Sequence, residues 1–176
     1  MRAAIKSLVD AHPAAPLLVT GHSLGGALAL LAALDIRALF PSVKVALYTY
    51  GQPRVGNLEF SNYADQLLPI SYKRVVHYDD MVAHVPPRIS GYQHAGDEVW
   101  YKNKQDDGYY VECINSAFTK ENDECSNSLW IKAGIEAHKV YFGQVVSDQC
   151  TRRQPSGTLT ADDVEVECVA ETEFSA

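Results

Sequence analysis

The 176-residue sequence predicts an α/β layer fold, a sheet of short strands covered by helices. Three observations lead there. Apolar runs of strand length alternate with helix-length segments through the first 150 residues. A Gly21-His22-Ser23-Leu24-Gly25-Gly26 turn joins one such run to a long Ala- and Leu-rich segment. Proline and glycine punctuate the joints.

Taken in order, residues 2–12 carry apolar positions Ala3, Ile5, Leu8 and Val9, which suits a short helix that ends before His12-Pro13. Leu17-Leu18-Val19-Thr20 is long enough for a buried strand. The helix after Ser23 runs to about Phe40, where Pro41 stops it. It is apolar nearly all round, which predicts burial against a sheet. Val43 to Tyr50 reads as a second strand, 51–56 as a turn, Phe60 to Leu67 as a helix and Tyr72 to His77 as a third strand. Tyr78-Asp79-Asp80 and a Pro86-Pro87 breaker follow. Residues 91–115 read as strand and loop, 116–130 as a polar loop, and roughly Trp130 to Phe142 as a helix. From Thr151 to Ala176 the acidic, aromatic-poor chain predicts a flexible tail after a body of residues 1–150.

The formal charge of −7 is uneven. Residues 154–176 hold six acids and no Lys or Arg, which leaves 16 acids against 15 bases in residues 1–153. A nearly neutral body lacks the clustered cations that phosphate binding needs, so no nucleic-acid partner is expected. The longest apolar stretch, Gly26 to Phe40, is too short to span a bilayer and is broken by Asp35 and Arg37. No transmembrane segment is expected. Cys113 and Cys125 bracket a polar loop in the manner of an exported protein, while four cysteines allow three pairings that the sequence alone leaves open. No C-x-x-C pair or H-E-x-x-H spacing occurs, so neither a metal nor another cofactor is expected.

The chemistry centres on Gly21-His22-Ser23-Leu24-Gly25, a match to G-x-S-x-G. A serine displayed on a tight strand-to-helix turn needs neighbours two before and two after that are nearly free of side chain, hence the glycines. The helix behind it aims its N-terminal dipole and the Leu24 N–H at an oxygen under attack. Such a serine needs a base and an orienting acid. Asp79 and Asp80 stand just past a predicted strand, and His138 lies near the end of the body. Either carboxylate could serve. His22 is expected to face away from Ser23 and pack, and His12 and His77 carry no further signal.

These segments resemble the class 3, fungal-type triacylglycerol lipases of the α/β-hydrolase fold. The resemblance rests on Gly21 to Ala27, Tyr48 to Gly56, Asp80 to Pro87, Gly91 to Trp100 and His138 to Gly143, in the family's order and spacing. It implies Ser23 as nucleophile, Asp80 rather than Asp79 as acid, and His138 as general base. Leu24 would donate one oxyanion N–H, and Met81, Val82 and Val85 would line an acyl groove. His84 and His94 match structural positions. The implied function is hydrolysis of lipid esters, with a transient contact to a lipid interface. A feruloyl esterase or a mono- and diacylglycerol lipase would share the same motifs. Cys113 and Cys125 match a family disulfide. Cys150 matches a cysteine whose partner lies ahead of this sequence, and Cys168 has no counterpart.

In the family, more chain precedes the nucleophile strand: several strands, a lid helix and the loop giving the second oxyanion donor. Only 22 residues precede Ser23 here. The resemblance therefore implies an α/β-hydrolase fold incomplete at its N-terminal side, secreted as a full-length protein. It also implies that these 176 residues alone hydrolyse esters poorly. A non-catalytic remnant or an incomplete gene model is the reading from another class.

Overall fold

The structure, a computed structural model, describes residues 2–68, 72–104, 108–114, 121–129 and 134–146. Its elements run α1 (Arg2–Ala11), β1 (Leu17–His22), α2 (Leu24–Leu39), β2 (Val45–Tyr50), α3 (Leu58–Leu67), β3 (Tyr72–His77), β4 (Asp97–Tyr101) and β5 (Tyr110–Cys113). A short helix α4 (Ile135–Lys139) leads into a hairpin of β6 (Val140–Tyr141) and β7 (Gln144–Val145). Strands β1 to β5 form one sheet in sequence order; β1 to β4 are parallel and β5 is antiparallel. Each parallel step is made by a crossover, and α2 and α3 supply the first two. That is the layered α/β arrangement expected of alternating strand and helix segments.

The main core lies between the helices and β1, β2 and β3. Leu30, Ala33, Leu34 and Ile36 of α2 pack on Val45 and Leu47 of β2, with Ile5 and Val9 of α1 closing the side. Fully burying a Leu or Ile side chain stabilises by about 1.5–3 kcal/mol, so this seam dominates the cohesion of the N-terminal half. A second core gathers Val76, Ala83, Trp100, Cys113 and Cys125, the two cysteines being joined as a disulfide. Helix α3 starts two residues earlier than the sequence suggests, because the Asn57 side chain caps it by accepting the Phe60 N–H at 3.0 Å.

Two expectations change. Helix α2 is not buried all round: Leu24, Leu28, Leu31 and Leu39 are exposed, while the stripe through Ala27, Leu30 and Leu34 faces the sheet. An apolar composition marks a helix that can be buried on every side, and here the sheet takes only one. Among the described residues of the helix expected over 130–142, only α4 is helical, and the β6–β7 hairpin follows it. Phe142 and Gly143 turn the chain with φ of 54° and 68°, a conformation no helix continues through. Residues 130–133, Cys150 and the acidic tail 151–176 lie outside the described residues. Among those described, no helix is long and apolar enough to cross a membrane.

Candidate active site

Strand β1 delivers Ser23 at the very start of α2. Its backbone sits at φ 57°, ψ −132°, a region that costs a side chain-bearing residue strain and that clusters at functional sites. The turn persists because Ser23 N–H donates to Tyr50 O at 2.9 Å and because glycine clears the way. A Cβ on Gly21 would lie 2.2 Å from the Gly25 carbonyl oxygen, whereas a Cβ on Gly25 would meet nothing within 4 Å. The crowding expected of both glycines is therefore one-sided. Gly26 is also tight, its Cβ position lying 3.0 Å from Gln52 Cβ.

The acid–base side is built from three other elements. Asp80 follows β3 after Tyr78, a residue held at φ 43° whose carbonyl accepts from Trp100 Nε1 at 2.9 Å. Of the two neighbouring acids it is Asp80, completely buried, that meets His138 on α4. Its Oδ2 and Oδ1 lie 2.9 and 3.1 Å from His138 Nδ1. Asp79 instead lies against Gly134 at the entry to α4, where a Cβ would come within 2.0 Å of its Oδ1. His138 Nε2 is 2.8 Å from Ser23 Oγ. Serine, imidazole and carboxylate thus form one continuous line, brought together from positions 115 and 58 residues apart.

The charges fix the direction of that line. Burial pushes the Asp80 carboxyl up, but hydrogen bonds from His138, Tyr141 and the Val82 N–H outweigh it and hold the group below its ordinary value. Ionised Asp80 can only accept, so His138 Nδ1 carries the proton and Nε2 offers its lone pair to the Ser23 hydroxyl. That is the arrangement in which imidazole withdraws a proton from serine oxygen.

The remaining predicted residues fall as follows. Leu24 opens α2, so its N–H is among the first-turn amides that helices leave without an internal acceptor. Its side chain is exposed. Met81 and Val85 are exposed in the turn after Asp80, and Val82 is half-buried there, so two of the three are not core. His84 and His94 tie backbone together: His84 reaches Asp80 O and Ser126 Oγ, and His94 reaches Ala83 O. His22 does pack, but on His138. Its ring stacks on His138 at 4.5 Å, and its Nε2 donates to the His138 carbonyl at 2.8 Å.

Sequence reasoning missed two members of this cluster. Tyr141 Oη lies 2.6 Å from Asp80 Oδ2. Gly51, which reads only as a turn residue, stands at φ 55° with its Cβ position 2.6 Å from Asp80 Oδ2 and 2.7 Å from His138 Nδ1. Any side chain there would occupy the space of the acid–base contact. The signal for Gly51 was its place directly after a strand, and for Tyr141 its place three residues past His138. Beneath the acid turn, Arg54 pairs with Glu121 at 2.5 and 2.8 Å while also donating to the carbonyls of His84 and Pro86, which pins residues 84–86.

A family model described as lipase (class 3) matches residues 1–90. A lipase of Rhizomucor miehei is 41% identical over 135 residues, covering 75% of this chain and 36% of that protein. The secreted mono- and diacylglycerol lipase 1 of Fusarium solani is 39% identical over 143 residues, covering 81% of this chain and 42% of that protein. Among solved structures, a triacylglycerol lipase whose catalytic centre is formed by a serine protease triad is 39% identical. It superposes with a TM-score of 0.72 over 80% of this chain and 52% of its own. The chain therefore spans less than half the length of these two curated relatives and about half of that solved structure.

Proposed function

This chain belongs to the class 3 lipase family and has the α/β-hydrolase fold over the part of its structural neighbours that it covers, and from that premise we propose that it is a serine hydrolase of lipid esters. Ser23 is the nucleophile, His138 the general base and Asp80 the acid that orients it. The observation that carries this reading is the unbroken line from Ser23 Oγ through His138 to Asp80.

In the first half-reaction Ser23 Oγ bonds to the ester carbonyl carbon as its proton passes to His138 Nε2. Asp80 stabilises the imidazolium, and the Leu24 N–H donates to the oxyanion. Collapse breaks the bond to the alcohol oxygen, which leaves with the proton from His138. Water then attacks the acyl-serine by the same proton path, releasing the carboxylic acid and restoring Ser23. Met81, Val82 and Val85 meet the acyl chain, and the exposed Met81 and Val85 carry the contact with a lipid interface. Residues 1–150 form the hydrolase portion and 151–176 an acidic tail. The Cys113–Cys125 bridge and the secreted Fusarium relative support an extracellular setting, where disulfides persist.

The test is a substrate panel of tributyrin, a diacylglycerol, a monoacylglycerol and methyl ferulate, run on a full-length version of the protein beside its Ser23→Ala variant. Acylglycerol cleavage that disappears in the variant is the expected result. Preference for the partial glycerides would favour the Fusarium-type activity. Cleavage persisting in Ser23→Ala, or confined to the ferulate, would contradict the reading.

A further inference from the structure

Among the described residues, three groups donate to the Asp80 carboxylate. His138 and the Val82 N–H, at 2.8 Å, come from the reacting line and from the turn itself. The third is the Tyr141 hydroxyl at 2.6 Å, reaching Asp80 from β6 across 61 residues. That hydroxyl has no freedom of direction. It lies 3.3 Å from the His77 backbone N–H, which can only donate, so the oxygen accepts there and its own hydrogen goes to Asp80. Tyr141 is itself buried, with ring edges toward His22, Tyr50 and His77. A phenol held in one orientation by neighbours on three strands is a fixed donor rather than an incidental contact.

We propose that Tyr141 is a positioning residue of this site, whose hydroxyl fixes the Asp80 carboxylate for His138 and spreads its charge. The proposal rests on the reading of Ser23, His138 and Asp80 given above. Two consequences follow from the chemistry. Without the hydroxyl, a buried carboxylate lone pair and the His77 N–H both lose their partner, and the acid is free to rotate about its side chain. With less of its charge shared, the carboxylate also attracts the imidazolium more strongly, so the Asp80–His138 pair holds its proton to higher pH. The titratable groups facing Tyr141 and Asp80 are His22, Tyr50, His77, His138 and Glu98, the last through space. Burial and the Asp80 charge hold the Tyr141 hydroxyl well above its ordinary value, so it keeps its proton across the working range.

The experiment is labelling by a p-nitrophenyl alkylphosphonate, which needs only nucleophile, base and acid, on the whole chain and its Ser23→Ala and Tyr141→Phe variants. Rates are read between about pH 5 and pH 9. The expected result is labelling of the wild type, none of Ser23→Ala, and a roughly 10- to 100-fold slower rate in Tyr141→Phe. The acid limb of Tyr141→Phe should also move up by about half a pH unit. Replacing Tyr141 by 3,5-difluorotyrosine, a stronger donor of similar shape, should move the limb the other way. It also covers the case in which Tyr141→Phe does not fold. A rate and limb equal to wild type overturn the proposal. A slower rate with an unmoved limb in both variants also overturns it, since packing alone would do that. If the wild type itself is not labelled, the reading of Ser23 fails instead. The proposal is then decided by the low-field Nδ1–H proton resonance of His138, which must shift between wild type and Tyr141→Phe to sustain it and stays put if it is wrong.

Discussion

The two sides of the Ser23–His138 contact are built differently. On the acid–base side, Asp80 is fully buried, takes hydrogen bonds from three groups and sits above the buried Arg54–Glu121 pair. On the Ser23 side, β1 stands at the edge of the sheet formed by the described residues, Leu18 is 67% exposed, and Leu24, Leu28 and Leu31 of α2 are exposed. The lesson is one of redundancy. Asp80 and His138 are held by side chains converging from distant parts of the chain, whereas Ser23 is held by backbone conformation and the room that glycine leaves. Damage on the first side should therefore spread through a network, and damage on the second should be local and steric.

The largest effect is expected at the Asp80–His138 contact itself. Gly51→Ala would put a methyl group on the Asp80–His138 contact, at a positive φ that a side chain adopts only with strain. Phosphonate labelling of Ser23 should fall at least about 100-fold. Gly91→Ala, also at positive φ but with nothing within 4 Å, should cost only about 1 kcal/mol of stability and leave labelling intact. Equal losses in the two variants would break the steric account.

Next comes the buried pair. Glu121→Ala leaves the Arg54 guanidinium unpaired at 2% side-chain exposure, and urea unfolding should register about 3–5 kcal/mol. Arg2→Ala, which breaks the exposed pair with Asp35, should register no more than about 1 kcal/mol. Glu121 also gives the network a pH signature. Burial raises its carboxyl, but the Arg54 bonds and the surrounding positive charge prevail and hold it well below its ordinary 4.5. A lowered folded value means the stability is present above about pH 4.5 and is lost as the pH falls toward the folded value. The urea midpoint of the wild type should drop on acidification. In Glu121→Gln it should start lower and fall less steeply, and a parallel fall would show that the pair is not the source.

The smallest effect belongs to the open side. Leu28→Gln exchanges one exposed side chain for another and should change the thermal midpoint little, within about 0.5 kcal/mol of stability, while reducing self-association of the chain. A large loss there would mean that α2 is covered in solution.

The contrast also explains what the sequence could reveal. The serine turn was legible because its constraint is local: Gly21 and Gly25 are four residues apart, and a side chain on the first would strike the carbonyl of the second within one turn. The strands β1 to β3 were legible from apolar runs of the right length. Separating Asp80 from Asp79 needed the family's spacing, since both are acids at a strand end, and the structure separates them by which one meets His138 and which lies against Gly134. Tyr141 and Gly51 escaped because their roles exist only after β2, β3 and α4 come together. The β6–β7 hairpin escaped because Val140 and Tyr141 carry on the apolar pattern of α4, and only the Phe142-Gly143 turn breaks it. The exposed face of α2 escaped for the opposite reason. Composition reports what a helix can bury, and the number of faces actually covered is a property of the assembled layers.

The central claim, that His138 draws its proton from Ser23 and no other hydroxyl, is tested most directly by locating the phosphonate adduct. The whole chain is treated with the p-nitrophenyl alkylphosphonate at neutral pH, digested, and its peptides sequenced by mass spectrometry. The account predicts a single adduct on Ser23, absent in Ser23→Ala and suppressed in His138→Ala. An adduct on another residue, or one on Ser23 that forms as fast in His138→Ala as in the wild type, would contradict it.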